Sequence, residues 1–363
     1  MKILCAAGTR PNFVKIAALY NEMLKRTDID PILIHTGQHF DKNMSENFFH
    51  DFELPKPDFN LNVAGGTHAY QTGQIMLRFE PVLHDISPDV VIVVGDVNST
   101  MAVSIVAAKD GFPLGHVEAG LRSGDRTMPE ELNRIVVDQL ADFLFVTEQS
   151  GVDNLRKEGI PDDRMFFVGN VMIDTLMSHI KKAEKSDFLD RFALTRDNYV
   201  LMTLHRPSNS DNEKILTDIL SALIEISHDI KVVFPVHPRT KKQMEDFGLL
   251  TLIENEPGFL LIEPLGYIDF LNAMDNARAV LSDSGGIQEE TTILGVPCLT
   301  LRNNTERPVT IQSGTNTLVG TKRENIIRGF RDLPAHRGNS YQCPHLWDGK
   351  AASRIIDILE KQI

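Results

Sequence analysis

Residues 90–96 read VVIVVGD, five β-branched residues followed by a glycine and an aspartate. This composition predicts a buried β-strand, and the glycine indicates a turn at its end. Similar apolar runs separated by amphipathic segments extend from this stretch toward both ends of the chain. The alternation is typical of parallel strands joined by crossover helices, so we predict an α/β protein.

The alternation occurs in two blocks. In the first, we predict strands at residues 2–7, 31–36, 90–94, 114–117, 143–147 and 165–168. In the second, we predict strands at residues 199–204, 231–236, 259–262, 279–282 and 298–301. The blocks predict two Rossmann-like domains at residues 1–171 and 198–348. Residues 172–197 are expected to form a lysine-rich surface helix that connects the domains, and a last helix at 349–363 is expected to pack back on the first domain. Because ligands bind at the carboxyl ends of parallel strands, we expect a site in a cleft where the two sheets face each other.

Composition limits the function. The chain has 363 residues, 42% of them hydrophobic, and 50 acidic residues against 37 Lys and Arg give a net charge of -13. This charge argues against nucleic-acid binding, so any phosphate must be held by a local site. The widely spaced Cys5, Cys298 and Cys343 indicate a reducing compartment without structural disulfides. We find no secretory leader and no apolar stretch of the roughly 18 residues that a membrane helix needs, so we expect a soluble, cytoplasmic protein.

Candidate anion ligands follow the first strand. Gly8 opens a turn that contains Arg10, and Lys15 lies one turn into the next helix. Two cations beside a helix N-terminus indicate an anion site, because free N–H groups there already favour negative charge. The alternative is an ordinary strand-to-helix turn with solvated charges.

Candidate acid–base residues follow the next strands. Asp96 and Glu118 end neighbouring strands, so their carboxylates are expected to meet and to raise at least one pKa toward the range needed for proton abstraction. The alternative is that Asp96 caps the following helix. Glu131 and Arg134 lie on the next predicted helix, beside an apolar stripe that we expect to be buried. This stripe consists of Leu132, Ile135, Val136 and Leu140. An ordinary surface pair between Glu130 and Arg134 is the alternative there.

The second domain offers a histidine and a glycine turn. His205 follows the first strand of this domain, where it can enter a cleft, whereas for His237 we favour a structural role. Ser284, Gly285 and Gly286 form a turn that opens a helix, so its backbone N–H groups can approach a pyrophosphate closely. Glu290 can accept from ribose hydroxyls, and Arg307 adds a second phosphate cation. We therefore predict a bound nucleoside diphosphate; the alternative is a purely geometric glycine turn.

Taken in order, these motifs resemble the non-hydrolysing UDP-N-acetylglucosamine 2-epimerase family. The resemblance rests on GTRP at residues 8–11, GD at 95–96, HVEAGLR at 116–122, PEELNR at 129–134 and DSGGIQEE at 283–290. It implies two Rossmann-like domains facing across a cleft, as in the GT-B type, and usually a homodimer. It further implies interconversion of UDP-GlcNAc and UDP-ManNAc by elimination of UDP to 2-acetamidoglucal and re-addition. No metal or other cofactor is implied.

The resemblance also implies residue roles. The acid–base and catalytic-support residues would be Asp96, Glu118, Glu131 and His205, with Arg134 orienting the carboxylates. The identity of the first base stays open. The diphosphate contacts would be Arg10, Lys15, Ser284, Gly285, Gly286 and Arg307. Glu290 would bind the ribose, and Phe270 would lie beside the uracil.

Two stretches depart from the family pattern, namely QHFDKNMS at residues 38–45 and PSN at 207–209. In the family these stretches help to form an activating second UDP-GlcNAc site, so we do not expect substrate activation. The same features resemble relatives that epimerise a UDP-2,3-diacetamido-2,3-dideoxy-glucuronate, for which Arg122, Arg126 or Lys42 could supply the extra cation. More distant alternatives are a GT-B glycosyltransferase that uses a UDP-sugar and a catalytically silent UDP-sugar-binding protein.

Overall fold

The computed structural model describes residues 1–37, 49, 51–334 and 341–363. The chain divides into two compact units. The first unit comprises residues 1–178 and 345–363, and the second comprises residues 179–344. Residues 38–45, including the candidate Lys42, lie outside the described residues. No helix in the described part of the chain is long and apolar enough to cross a bilayer.

A parallel sheet forms the centre of the first unit. Its strands are β1 (Lys2–Ala7), β2 (Asp30–His35), β3 (Phe59–Asn60), β4 (Val90–Val94), β5 (Leu114–Ala119), β6 (Phe143–Val146) and β7 (Met165–Phe167). Their order is β3-β2-β1-β4-β5-β6-β7, so the chain reverses its direction of travel across the sheet between β1 and β4. Val94 pairs with Val117, which brings the residues that follow β4 next to those that end β5.

Helices cover both faces of this sheet. They are α1 (Arg10–Met23), α2 (His68–Ile86), α3 (Asn98–Lys109), α4 (Pro129–Leu140), α5 (Gln149–Lys157), α6 (Val171–Ala183) and the final helix of the chain, Ala351–Gln362. Helix α2 packs against α3, and α3 packs against α4. The final helix contacts α1, with Ile355, Ile356 and Leu359 buried, and Arg26 forms an ion pair with Asp357 at 2.8 Å.

Helix α4 buries its polar face and exposes part of the apolar face that the sequence predicts to be buried. Leu132 and Val136, expected in the buried stripe, are exposed, and Ile135 and Leu140 are only partly buried. The buried residues are Glu131, Asn133, Arg134, Val137 and Asp138. The helix directs its polar face inward because those side chains bond to the ends of β4 and β5, as described below.

The segment predicted as a connecting surface helix is a core element in its first part. Met172, Ile173 and Leu176 of α6 are buried, and the hydroxyl of Thr175 donates to the carbonyl of Val14 at 2.8 Å. The boundary between the units falls inside α6, between residues 178 and 179, and not around the whole of 172–197. The lysine-rich sequence occupies only the last turns of the helix, which misled the sequence interpretation.

The second unit contains another parallel sheet. Its strands are β8 (Tyr199–Thr203), β9 (Lys231–Pro235), β10 (Phe259–Ile262), β11 (Ala279–Ser282), β12 (Cys298–Thr300) and β13 (Asn316–Leu318). The order β10-β9-β8-β11-β12-β13 again reverses direction, here between β8 and β11. Thr203 pairs with Ser282 at this point. The short strands β3 and β13 at the sheet edges were not predicted from the sequence.

Helices pack on both faces of the second sheet. They are α7 (Phe188–Arg191), α8 (Pro207–Ser210), α9 (Glu213–Ser227), α10 (Pro238–Asp246), α11 (Leu250–Glu254), α12 (Tyr267–Asn276), α13 (Gly285–Leu294), α14 (Val309–Gln312) and α15 (Arg323–Arg331). The final helix of the first unit is therefore α16. Each unit has its own hydrophobic core, in which Val93 and Phe79 belong to the first and Leu281 and Phe234 to the second.

Candidate active site

The candidate acid–base residues lie where the first sheet reverses direction. In parallel sheets this point forms a natural crevice at the carboxyl ends of the strands. Thr9 and Arg10 follow β1, Gly95 and Asp96 follow β4, and Glu118 lies near the end of β5. The sequence prediction that strand ends gather these residues is therefore consistent with the sheet order.

Glu118 adopts a strained backbone conformation. Its φ of 73° is in the left-handed region, and the β5–β6 register shifts between Val117 and Ala119 around it. A non-glycine residue in this conformation costs about 1–3 kcal/mol, and such strain is concentrated at functional sites. Strand β5 continues past this irregularity to Ala119, two residues beyond the predicted end at residue 117.

Lys15 is the ion-pair partner of Glu118. The Lys15 ammonium contacts Glu118 Oε2, and both side chains are almost completely buried. Gly95 makes room for the pair, because a Cβ at this position would lie 3.2 Å from Lys15 Nζ and 3.5 Å from Glu118 Oε2. The predicted diphosphate cation Lys15 is thus engaged with a carboxylate of its own unit, a pairing that sequence reasoning missed.

Arg134 joins the other two carboxylates. Its Nη2 lies 2.6 Å from Asp96 Oδ2, and its Nη1 lies 2.6 Å from Glu131 Oε2. Burial would raise the pKa of Glu131, but the backbone N–H groups of Ser123 and Gly124, with the charge of Arg134, hold it below the ordinary value. Glu131 is therefore ionised at neutral pH, and its partners are donors and a cation, not other carboxylates.

The structure decides between two sequence alternatives here. Val97, not Asp96, occupies the N-cap position of α3. The ion pairs of Arg134 go to Asp96 and Glu131, and Asn133 donates to the Asp96 carbonyl at 2.8 Å. The helix-capping and surface-pair interpretations are therefore wrong, and Arg134 joins two candidate carboxylates as the family resemblance implies.

In the second unit, His205 is held by Asp283. His205 Nδ1 lies 3.1 Å from Asp283 Oδ1, while half of the His205 side chain is exposed. Burial would raise the pKa of Asp283, but the hydrogen bond and charge of His205, with the Arg206 backbone, lower it overall. Because ionised Asp283 accepts the Nδ1 proton, Nε2 is the nitrogen that His205 presents to a ligand. Asp283 lies in the DSGGIQEE motif, but its pairing with His205 was not predicted from the sequence.

The Ser284–Gly285–Gly286 turn opens α13 at the point where the second sheet reverses direction. Ser284 is the N-cap of α13, and the first N–H groups of a helix have no partner within it. A Cβ on Gly285 would lie 2.6 Å from Nη1 of Arg307, so only glycine allows this close approach. The turn therefore combines backbone donors with an arginine, which suits an anionic ligand.

Glu306 ties three arginines together behind this turn. Its carboxylate lies 2.7 Å from Arg302, 2.8 Å from Arg307 and 3.4 Å from Arg206. Burial would raise the pKa of Glu306, but Arg307 and Arg302 hold it well below the ordinary value. Of these four residues, only Arg307 was predicted as a site residue from the sequence. The adjacent opposite charges in TERP at 305–308 are the signal that could have indicated the network.

Glu290 and Phe270, the two candidates for contacts with a nucleoside, lie on helices α13 and α12, which pack against each other. Glu290 is buried on α13 and accepts a hydrogen bond of 2.8 Å from the hydroxyl of Tyr267. Burial raises the pKa of Glu290 to about 7, although the Tyr267 hydrogen bond opposes this shift. Phe270 is partly buried on α12, one turn after Tyr267.

The remaining candidates are placed as follows. Arg122 is committed to Asp138 at 2.8 Å and to Glu158 at 2.7 Å, which disfavours it as the cation for a uronate. Arg126 is exposed. His237 is the N-cap of α10 and accepts from the Arg239 backbone N–H at 3.2 Å, which is the structural role that the sequence favours.

Two Rossmann-like domains, one with paired carboxylates and one with a helix-opening glycine turn, define a class of α/β proteins that act on nucleotide-linked substrates. A family model described as UDP-N-acetylglucosamine 2-epimerase matches residues 21–360. The chain belongs to this family, and the resemblance inferred from the motifs is confirmed.

Individual relatives agree with this assignment. The chain is 41% identical to the UDP-N-acetylglucosamine 2-epimerase of Methanocaldococcus jannaschii over 99% of both chains. It is 38% identical to the UDP-2,3-diacetamido-2,3-dideoxy-D-glucuronate 2-epimerase of Pseudomonas aeruginosa over 99% of this chain and 100% of that one. The crystal structure of the M. jannaschii UDP-GlcNAc 2-epimerase in complex with UDP-GlcNAc and UDP matches with a TM-score of 0.90 and 40% identity, covering 99% of this chain and 100% of that chain. The prediction of two Rossmann-like domains of the GT-B type is confirmed.

Proposed function

We propose that the protein is a non-hydrolysing UDP-N-acetylglucosamine 2-epimerase that interconverts UDP-GlcNAc and UDP-ManNAc. The observation that carries the proposal is the set of three carboxylates, Asp96, Glu118 and Glu131, held by Arg134 and Lys15 at the carboxyl ends of β4 and β5. Removal and return of a proton on opposite faces of a sugar requires more than one such group. Family membership and the relatives described above support the same activity.

The proposed reaction balances without a further reactant. A carboxylate removes the proton from sugar carbon 2, and the electron pair of that C–H bond forms a double bond between carbons 1 and 2. The bond between carbon 1 and the diphosphate oxygen breaks, and UDP leaves with its electron pair. Protonation of carbon 2 on the opposite face and attack of the UDP oxygen on carbon 1 then give the epimer.

In this proposal the first unit supplies the acid–base chemistry. Asp96, Glu118 and Glu131 are the proton-transfer or supporting groups, and Arg134 fixes the spacing of Asp96 and Glu131. Lys15 supports Glu118 through their buried ion pair. Arg10, at the N-terminus of α1, is a candidate for a phosphate contact.

The second unit binds the nucleotide in this proposal. The Ser284–Gly285–Gly286 turn and Arg307 bind the diphosphate, Glu290 binds the ribose, and Phe270 lies beside the uracil. His205, oriented by Asp283, is the acid–base or supporting residue of this unit and presents Nε2 to the substrate. The hydrogen-bond donors of the turn and of Arg307 are fixed before the reaction, so they can stabilise the negative charge that develops on the departing diphosphate without rearranging. We therefore expect stabilisation of the leaving group to be mainly electrostatic.

A diacetamido-glucuronate epimerase is the second candidate. The observation in its favour is the 38% identity to the P. aeruginosa enzyme over nearly the whole of both chains, close to the 41% for the M. jannaschii epimerase. Its carboxylated sugar requires an added cation, and Arg126 is the exposed candidate.

Proton NMR in deuterated water tests the proposal. Incubation with UDP-GlcNAc is expected to introduce deuterium at carbon 2 and to produce UDP-ManNAc without an acceptor. Asp96→Asn and Glu118→Gln are expected to slow this exchange at least about 10²-fold, with UDP affinity retained, because they remove acid–base groups. Exchange with the diacetamido-uronate alone would select the second candidate. Free ManNAc would indicate hydrolysis, and transfer to an added acceptor without exchange would indicate a glycosyltransferase.

We further propose that the enzyme is a cytoplasmic homodimer. The three cysteines are free thiols, in keeping with a reducing compartment. Helices α2 and α4 expose Leu77, Leu132 and Val136, which are apolar side chains that a second copy of the chain would cover.

A further inference from the structure

A buried histidine–aspartate pair lies beneath the candidate carboxylates of the first unit. His116 is on β5, two residues before Glu118, and Asp138 is on α4, one turn after Arg134. Their side chains are completely buried, and His116 Nδ1 lies 2.7 Å from Asp138 Oδ1. None of the roles proposed above uses either residue.

The second ring nitrogen of His116 faces a carbonyl oxygen. His116 Nε2 lies 2.8 Å from the carbonyl of Gly95, the residue before Asp96. A carbonyl oxygen can only accept, so Nε2 donates; an ionised carboxylate also only accepts, so Nδ1 donates to Asp138. One imidazole ring therefore bridges the Gly95 carbonyl and the Asp138 carboxylate.

Asp138 is ionised and makes further bonds. Burial would raise the pKa of Asp138, but the charge and hydrogen bond of His116, with those of Arg122, hold it below the ordinary value. Its Oδ2 accepts from the backbone N–H of Gly120 at 3.0 Å and pairs with Arg122 at 2.8 Å. Asp138 therefore contacts the backbone two residues after Glu118.

The pair thus connects both turns that present catalytic candidates. Gly95 has a φ of 66° and Gly120 a φ of 80°, on either side of the strained Glu118. The imidazole holds the Gly95 turn, the carboxylate holds the Gly120 turn, and α4 anchors the carboxylate. Helix α4 also carries Glu131 and Arg134. The His116–Asp138 pair therefore connects the three backbone segments that carry Asp96, Glu118 and Glu131.

We propose that His116 and Asp138 are positioning residues for the epimerisation, holding the Gly95 and Gly120 turns so that Asp96 and Glu118 keep their spacing. Neither residue touches the reacting atoms. The proposal rests on the epimerase function proposed above. A displacement of about 1 Å at reacting groups can cost on the order of 10²-fold in rate, so such positioning has a measurable effect.

Two isosteric variants separate the two hydrogen bonds. In His116→Gln the amide nitrogen can reach the Gly95 carbonyl, and in His116→Asn it can reach only Asp138. We expect His116→Asn to lower kcat by about 10²-fold and His116→Gln to retain activity to within about tenfold of the wild type. UDP affinity and the KM for the UDP-sugar are expected to change less than about threefold, because the two hydrogen bonds of His116 go to Asp138 and Gly95 and to none of the proposed nucleotide contacts. His84→Asn is the matched control: it changes the exposed histidine of another histidine–aspartate pair in the same unit, with the partly buried Asp110, and is expected to change none of these values.

Two outcomes would overturn the proposal. Wild-type kcat in His116→Asn would show that the Gly95 bond positions nothing. A parallel fall of kcat, UDP affinity and melting temperature in both variants would show a general structural role.

A crystal structure of His116→Asn measures positioning without any assay. We expect the Asp96 carboxylate to move from Arg134 by about 1 Å, the size of displacement that disturbs catalysis. An unchanged Asp96–Arg134 geometry would overturn the positioning role. Absence of exchange by the wild type on both sugars would instead count against the proposed function and leave this structural result to decide the positioning question.

Discussion

Glu290 is a carboxyl group whose charge can change near neutral pH. Burial raises its pKa to about 7, and the nearby charge of Glu289 acts in the same direction, whereas the Tyr267 hydroxyl lowers it by donating a hydrogen bond. A ribose contact through Glu290 would add two more donors to this group. Donors favour the ionised carboxylate, so nucleotide binding and ionisation of Glu290 should be coupled.

This coupling predicts that UDP binds more weakly at low pH. Below a pH of about 7, Glu290 in the free protein is protonated, and ribose binding must displace this proton. The affinity for UDP therefore decreases by up to about tenfold for each pH unit below about 7. The side chain in Glu290→Gln cannot ionise. We therefore expect this variant to bind UDP more weakly than the wild type at about pH 8, and to lose none of its affinity through this group between about pH 8 and pH 6. Calorimetric titration with UDP measures both effects.

The comparison between variants removes the titration of UDP itself, because the phosphate ionises equally in every experiment. Glu263→Gln, an exposed substitution in the same unit, serves as the control and is expected to follow the wild type. Parallel pH dependences for the wild type and Glu290→Gln would show that Glu290 does not meet the ribose.

The places of the candidate site residues in the fold could be predicted from the sequence, but their bonding partners could not. Asp96, Glu118 and His205 stand directly after apolar strands, so a strand pattern is enough to place them at sheet ends. The partner of Glu118 is Lys15, 103 positions earlier in the chain. Nothing in the local pattern around either residue indicates that they meet; the sheet order brings them together.

Helix α4 shows why the sequence of an amphipathic helix does not decide which of its two faces is buried. Its sequence has an apolar side with Leu132 and Val136 and a polar side with Glu131, Arg134 and Asp138. Periodicity identifies the two sides, and the usual assumption places the apolar one inside. Here the polar side is buried because its charged groups are paired with opposite charges. Arg134 pairs with Asp96 and with Glu131 on the same helix, and Asp138 pairs with Arg122, which offsets the cost of removing these groups from water.

Helix α16 is capped by a residue from a different helix. The carboxylate of Asp174 on α6 accepts from the backbone N–H groups of Ala351 at 3.1 Å and Ala352 at 2.7 Å. These are the first two residues of α16, where N–H groups have no partner within the helix. A residue 177 positions away therefore supplies the cap that a local Ser or Asp usually provides.

Loss of this cap is expected to loosen α16. Asp174→Ala should destabilise the docked helix by about 1–2 kcal/mol, as for other N-cap deletions, and Asp174→Asn, which keeps one acceptor oxygen, by less. Hydrogen exchange of the amides of residues 351–362, followed by mass spectrometry, should accelerate accordingly in Asp174→Ala. The exposed substitution Asp229→Asn is the control. Unchanged exchange in Asp174→Ala would mean that the buried Ile355, Ile356 and Leu359 hold α16 without the cap.

Most strands of the two sheets could be predicted from the sequence, but one edge strand of each sheet could not. The eleven strands that we predicted span at least four residues each and are rich in apolar side chains, which gives a recognisable signal. Strands β3 (Phe59–Asn60) and β13 (Asn316–Leu318) have only two and three residues. Such short pieces become strands because a neighbouring strand offers backbone partners, as β2 does for Asn60, and their own residues carry little preference.

Association of two chains would account for the apolar surface of the first unit. Leu77 on α2 is 67% exposed, and Leu132 and Val136 on α4 are 41% and 36% exposed. Helix α3 packs against both α2 and α4, so the three helices form one layer. Because each chain carries a net charge of -13, two copies repel each other, and an apolar contact must outweigh that repulsion.

We therefore expect light scattering after gel filtration to give twice the chain mass of 40.7 kDa for the wild type. The double variant Leu77→Glu, Leu132→Glu should have the mass of one chain, because dimerisation would bury two added carboxylates per copy without partners. Leu252→Glu changes a similarly exposed leucine on the second unit and should remain dimeric. A wild-type monomer would refute the homodimer. A folded double variant that stayed dimeric would place the interface elsewhere, since buried, unpaired charges at the interface would have to disrupt it.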